Sequence, residues 1–215
     1  MAMSPLRMFA PATLLLCGTI LSGCAAMPAD SAPQSVSATP APAPVSKLVQ
    51  SVDIPYERFT LDNGLTVLVN TDRKAPVVAV SVWYDVGSKH EPKGKTGYAH
   101  LFEHIMFNGS QNAPEDYFVY LKQIGATDYN GTTWLDRTNY YQTVPTSAIE
   151  SALFLESDRM GNLLGALTQD RLDTQIGVVQ NEKRQRENAP FGLIPAEEVK
   201  LLYGEGHPYG HLTIG

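Results

Sequence analysis

Apolar and polar positions along the chain change period several times, and each change marks an element. Glu57-Arg58-Phe59-Thr60-Leu61 and Leu65-Thr66-Val67-Leu68-Val69 read as strands, with a strong hairpin signal, Asp62-Asn63-Gly64, between them. Val77-Val78-Ala79-Val80-Ser81-Val82-Trp83-Tyr84 is almost continuously apolar and β-branched, which predicts a central strand. A Gly- and Lys-containing loop from Asp85 to Thr96 leads into a short helix over Gly97 to Phe107, stopped by Asn108-Gly109-Ser110. Pro114 opens a second helix, with Tyr117, Phe118, Tyr120, Leu121 and Ile124 at helical spacing and Gly125 at its end. Two further strands follow, over residues 126–133 and 138–144, the first unusually polar. Three helices close the pattern. Ser147 caps one that runs to about Met160 with Ile149, Leu153, Phe154 and Leu155 inside; another spans Gln169 to Asn188, and the third begins after Pro195. The reading is an α+β domain, an antiparallel-rich sheet with helices packed on it.

Outside this pattern lies the N-terminus. Arg7 followed by the short apolar run Leu14 to Leu21 has the form of a signal sequence, too short for a permanent membrane anchor. Leu21-Ser22-Gly23-Cys24 resembles a bacterial lipobox, which makes residues 1–23 the signal peptide and Cys24 the lipidated first residue. Ala25 after it, in place of Asp, implies the outer membrane, with the chain facing the periplasm. Residues 24–50 are rich in Ala, Pro and Ser and form a tether, and the domain occupies residues 51–215. With Cys17 removed and Cys24 acylated, the folded part has no thiol, so cysteine nucleophiles and cysteine metal sites are excluded.

Composition adds little beyond size and sign. The 215 residues are 43% hydrophobic and 18% charged, enough for one full domain. A net charge of −6 from 22 acidic and 16 basic residues argues against a nucleic-acid partner. The basic run Lys183-Arg184-Gln185-Arg186 lies between glutamates and reads as a solvated helix face.

The chemistry concentrates in Gly97 to Phe107. On a helix, His100 and His104 stand one above the other with Glu103 beside them. Two imidazoles one turn apart close on one metal ion, and an adjacent carboxylate takes a proton from its bound water. The order His-x-x-Glu-His is the inverted form of a zinc peptidase motif. A catalytic zinc needs a third protein ligand, which without cysteine must be His, Asp or Glu. Glu182 directly follows an apolar helical segment, but spacing alone does not select it from the 22 acidic residues. Asn130-Gly131 fits either a simple turn or a sheet edge left open for a ligand backbone. His207 and His211 share the i,i+4 spacing, but Pro208 and Gly210 break any helix between them, so both read as loop residues.

His100-x-x-Glu103-His104, followed 78 residues after His104 by Glu182 in Val-Val-Gln-Asn-Glu-Lys-Arg-Gln, resembles the pitrilysin/insulinase family of zinc metallopeptidases. Leu61-Asp62-Asn63-Gly64-Leu65, Val86-Gly87-Ser88, Asn130-Gly131-Thr132-Thr133 and Asp136-Arg137-Thr138 resemble that family's first domain, so the likeness covers about residues 52–215. It implies a mitochondrial-processing-peptidase-like metallohydrolase fold and one zinc ion per chain, held by His100, His104 and Glu182. Glu103 becomes the general base. The polar strand with Asn130, Gly131 and Thr132 becomes the edge that pairs with substrate backbone. The implied activity is zinc-dependent endopeptidase action on peptides or small unfolded proteins.

Two departures from the family pattern stand out. Many relatives carry a glutamate seven residues before the zinc-binding one, where this chain has Gln175. Family members also close as a clamshell of two or more similar domains, so this chain is expected to need a C-terminal half or a second related subunit, and to hydrolyse peptides poorly alone. The rival reading is a non-catalytic peptide-binding or scaffold lipoprotein of the same fold, which zinc content and dependence on Glu103 would separate from a peptidase.

Overall fold

The computed structural model of the chain describes residues 54–204 and 206–215. The chain divides after Ile54, and every described element belongs to the second unit, Pro55–Gly215. The expected signal sequence and tether, residues 1–23 and 24–50, lie outside the described residues.

The hairpin forms as the pattern predicts. Strands β1 (Glu57–Thr60) and β2 (Thr66–Val69) pair antiparallel, with Glu57 opposite Val69. Asn63 Oδ1 accepts the Leu65 N–H at 3.0 Å and shapes the turn. This pair makes a two-stranded sheet of its own.

The main sheet has three antiparallel strands, β3 (Val77–Tyr84), β4 (Thr127–Thr133) and β5 (Thr138–Pro145), in the order β3-β5-β4. The central place expected for β3 therefore belongs to β5. Among the described residues β3 pairs on one edge only, along its full length from Val77 opposite Pro145 to Tyr84 opposite Thr138. Its apolar run imitates two-sided burial, yet Val77 and Trp83 are exposed. By contrast β5 buries Tyr140, Gln142 and Val144 on one face.

The described residues form five α-helices. They are α1 (Tyr98–Ile105), α2 (Tyr117–Gln123), α3 (Ile149–Asn162), α4 (Gln169–Asn188) and α5 (Ile194–Tyr203). Asp116 caps α2 by accepting the Phe118 N–H at 2.8 Å, and Thr168 caps α4 through the Arg171 N–H. Ser147 does not cap α3. It lies inside a 3-10 turn, Thr146–Ala148, and Ala148 at the N-cap offers no side-chain acceptor.

The inward face of α3 also departs from expectation. Leu153 and Phe154 are exposed, while Ala152, Leu155, Glu156, Asp158 and Arg159 are buried. Leu155 joins Ala113, Tyr117 and Leu121 in an apolar cluster. Beside it, Arg159 Nη2 donates to both oxygens of Glu156 at 2.6 and 2.7 Å, with the pair almost wholly out of solvent. Glu156 also accepts from Gln142 at 2.8 Å and from the Tyr117 hydroxyl at 3.1 Å. The guanidinium lies over the rings of Tyr140 and Tyr117, at 4.1 and 4.3 Å. A buried ion pair is stabilised when its remaining hydrogen bonds are met; Gln142 on β5 and Tyr117 on α2 meet those of Glu156, while Arg159 Nη1 makes no hydrogen bond among the described residues. Burial, with the nearby Glu156 charge, raises both tyrosine hydroxyls far above their ordinary range against the pull of Arg159, so they remain neutral.

Asp158 joins α3 to the loop after α1. It accepts from the Ser110 hydroxyl, from the Asn112 amide N–H at 3.0 Å and side chain at 2.6 Å, and from Asn162 at 2.8 Å. Burial opposes its charge, but these donors hold its carboxyl down at about 2. Asp158→Ala strands the Ser110 hydroxyl in a buried position and removes the acceptor of both Asn112 donors. It is expected to lower unfolding free energy by roughly 2–4 kcal/mol, read as a shift in the urea midpoint at unchanged slope.

Candidate metal centre

Helix α1 carries His100 and His104 on one face, with ring centroids 4.7 Å apart. Glu103 points to the other side of that face, toward β4, where the Thr133 hydroxyl donates to its Oε2 at 2.7 Å. The strand comes this close because residue 131 has no side chain. A Cβ there would sit 2.9 Å from Cζ of Phe107 and 3.1 Å from Cγ of Glu103. The room left by Gly131 on this face is thus taken by the Phe107 ring and the stem of Glu103.

The third member comes from α4. Val179 is buried, and Glu182 follows it by three residues on the same face. Glu182 Oε2 lies 3.5 Å from His104 Nε2 and 3.7 Å from His100 Nε2. One turn further, Arg186 donates to the other oxygen, Oε1. Both nitrogen–oxygen gaps exceed a good hydrogen bond. They approach the ~3.3 Å that separates neighbouring ligands around tetrahedral zinc with bonds of about 2.0–2.1 Å. Two imidazole nitrogens and one carboxylate oxygen converging on one point fit a zinc ion with a fourth position open.

Glu103 is a second carboxylate within reach, since ligand atoms of His100, Glu103 and His104 also lie within 4.8 Å of one another. The hydrogen bond from Thr133 draws Glu103 Oε2 toward the sheet, whereas Glu182 Oε2 faces both imidazoles. The groups border a cleft of about 710 Å³ that Asn130, Gly131 and Thr132 also line. Those three lie on β4, which pairs with β5 and forms the edge of the sheet. Arg137, its guanidinium 5.1 Å from the Trp83 ring, bonds the Thr132 hydroxyl and donates to the Thr132 carbonyl at 3.3 Å, so it braces this strand.

Comparison with known proteins shows the family. Residues 66–200 match the family described as Insulinase (Peptidase family M16). The chain belongs to peptidase family M16. "Zinc protease PqqE" of Helicobacter pylori is 34% identical over 163 residues, which is 74% of this chain and 36% of that protein. A crystal structure of a protease from Helicobacter pylori superposes with a TM-score of 0.70 at 32% identity, covering 75% of this chain and 38% of that one. Pitrilysin superposes with a TM-score of 0.65 at 26% identity, covering 77% of this chain and 17% of that one. This M16 chain therefore spans little more than a third of the Helicobacter proteins it matches, and less of pitrilysin.

Several residues around the candidate site make contacts that the sequence reading did not assign to them. Thr133, part of the family-like segment Asn130-Gly131-Thr132-Thr133 and two residues after Gly131 on the same face of β4, holds Glu103. Arg186 bonds Glu182 instead of forming part of a merely solvated face, a contact its i,i+4 spacing allows. Gln175, at the position where many relatives carry glutamate, donates to Asn108 at 3.2 Å, and Asn108 donates to the His104 carbonyl at 3.0 Å. This relay ties α4 to the end of α1 through neutral groups.

Electrostatics separate the two inward groups of α1. Burial, then the neighbouring His104, lowers the His100 imidazole to about 4 against the pull of Glu182. Burial raises the Glu103 carboxyl above the usual range, against the Thr133 hydrogen bond. With the folded value for His100 below the unfolded one, its contribution to metal-free stability is complete above pH 6.5 and is lost as pH falls toward about 4. Thermal unfolding of the metal-free chain should drop across that window, and His100→Gln should flatten the drop.

Proposed function

We propose that this M16 chain carries the zinc-holding and proton-transferring part of an endopeptidase that hydrolyses peptides or small unfolded proteins. The observation that carries the reading is the convergence of His100, His104 and Glu182 on one point, with Glu103 beside it but hydrogen-bonded elsewhere. His100, His104 and Glu182 would hold one zinc ion. When bound, zinc supplies Lewis acidity and lowers the pKa of a coordinated water toward ~7. Glu103 acts as general base, taking the proton of the attacking water and returning it to the leaving amine. Its burial makes it a stronger base than a solvated carboxylate, and Thr133 fixes its orientation.

Asn130, Gly131 and Thr132 would receive substrate as an added strand at the edge of β4, main chain to main chain. Such pairing accepts varied side chains, which agrees with peptides of mixed sequence as substrates. The length of the relatives beyond the matched region supports a second half, or a second related subunit, that closes over this cleft. The rival is a peptide-binding scaffold of the same fold, and its mark would be substrate binding without turnover.

Glu103→Gln should retain one zinc per chain and lower kcat by roughly 10²–10⁴-fold in the assembled enzyme. Glu182→Gln and His104→Ala should lose the zinc itself, measured by metal analysis after dialysis. A folded wild-type chain without zinc would refute the metal assignment, and full turnover by Glu103→Gln would refute its role.

We further infer that the chain is exported and lipid-anchored through Cys24 to the outer membrane, on the strength of the Leu21-Ser22-Gly23-Cys24 segment. The mature N-terminus should carry an acyl mass that Cys24→Ala lacks. An unmodified wild-type N-terminus would exclude the anchor.

A further inference from the structure

Helix α1 starts without a cap of its own. Gly97 at the N-cap has no side chain to accept a hydrogen bond, and no acidic residue lies in the first turn. The helix N-terminus nevertheless needs acceptors for its free N–H groups. They come from Glu91, six residues before Gly97. Its Oε2 accepts the Gly97 N–H at 3.0 Å and its Oε1 the Ala99 N–H at 2.7 Å. The Glu91 side chain is 3% exposed, so water does not stand in for either bond.

A second residue holds this carboxylate from far along the chain. His211 Nε2 lies 3.0 Å from Glu91 Oε2 and 3.2 Å from the Ser88 carbonyl. Both neighbours are acceptors, so Nε2 carries the ring proton and donates to them. The same tail presses on the helix start. Gly97 has φ of 89°, and a Cβ there would meet the Ile214 carbonyl at 2.8 Å. Ile214 is buried, and Thr213 reaches the rim of the cleft. The loop carrying Glu91 is itself fixed to the β4–β5 turn, where the Ser88 N–H donates to the Trp134 carbonyl at 3.1 Å and the Lys89 N–H to that of Leu135 at 2.9 Å.

We propose that Glu91 and His211 form a positioning clamp that sets the angle and register of α1, and through it the placement of His100 and His104 for metal. Ala99 directly precedes His100, so a shift of the helix start moves that ligand by the same amount. Neither residue touches the cleft groups. Both act through the backbone of α1. This inference rests on the zinc reading of His100, His104 and Glu182, and goes beyond it by assigning two residues that the motif does not contain.

The test is zinc affinity of the full-length chain, measured by chelator competition below the melting temperature, with metal-free thermal unfolding recorded alongside. Glu91→Gln keeps the shape but presents an NH₂ to one of the two helix N–H groups, and His211→Ala removes the donor to Glu91. Each is expected to weaken zinc binding by about tenfold or more, the scale seen when groups that orient metal ligands are removed. His211→Gln, whose amide donates toward the same acceptors, should recover most of the affinity lost in His211→Ala. If Glu91→Gln fails to fold, the two His211 variants decide the matter. Lower melting temperatures with unchanged zinc affinity would overturn the clamp and leave a purely structural role. A wild-type chain that binds no zinc would overturn both the clamp and the site reading beneath it.

Discussion

The close approach of β4 to α1 at Gly131 is the constraint on which the candidate site depends. Only an absent side chain lets the strand lie against Phe107 and Glu103, and that contact places Thr133 within hydrogen-bonding distance of the carboxylate. A methyl group at position 131 would meet the end of the Phe107 ring and the stem of Glu103 together, so both side chains would have to shift from the positions they now hold. One glycine thus lets the strand carrying Thr133 reach Glu103 on the motif helix.

Behind that contact the fold relies on buried polar groups as much as on apolar ones. Phe107 stacks against Phe118, with centroids 4.5 Å apart, and meets Tyr117 and Tyr140 edge-on. Arg159 lies over the two tyrosines and is neutralised by Glu156. Removing either charge alone would leave the other unpaired in a dry environment, a larger cost than the pair's own net contribution. This network joins α2, α3 and β5 into a rigid support for the end of α1, and Asp158 adds a second tie between α3 and the loop that follows that helix.

Burial also prepares the chemistry. It disfavours charge on the His100 imidazole, which leaves its nitrogen free to bind metal, and it disfavours charge on Glu103, which sharpens that carboxylate as a base. The same physical cause acts on a cationic acid and an anionic base in opposite directions. The outcome is a neutral imidazole and a more basic carboxylate three residues apart.

Much of this was readable before any coordinates. The His-x-x-Glu-His spacing places three groups on one short helix because the α-helical period does so for any sequence, and the strand and helix segments follow from local periodicity and turn residues. The residues offered Glu182 as one candidate among many and Asn130-Gly131 as either a turn or an open edge, and only family likeness chose between them, since no local rule links residues on separate elements. The chain alone did not reveal that β5 and not β3 is central, because an apolar run does not say how many of its edges are paired. It also misjudged α3, where Glu156, Asp158 and Arg159 are inside and Leu153 and Phe154 outside. Hydrophobic patterning assumes that charge stays in water, and only tertiary partners such as Gln142, Tyr117 and Asn112 make its burial tolerable. The Glu91–His211 contact spans 120 residues and was invisible for the same reason. Local sequence determined which side chains could do chemistry, and the tertiary structure alone decided which of them meet.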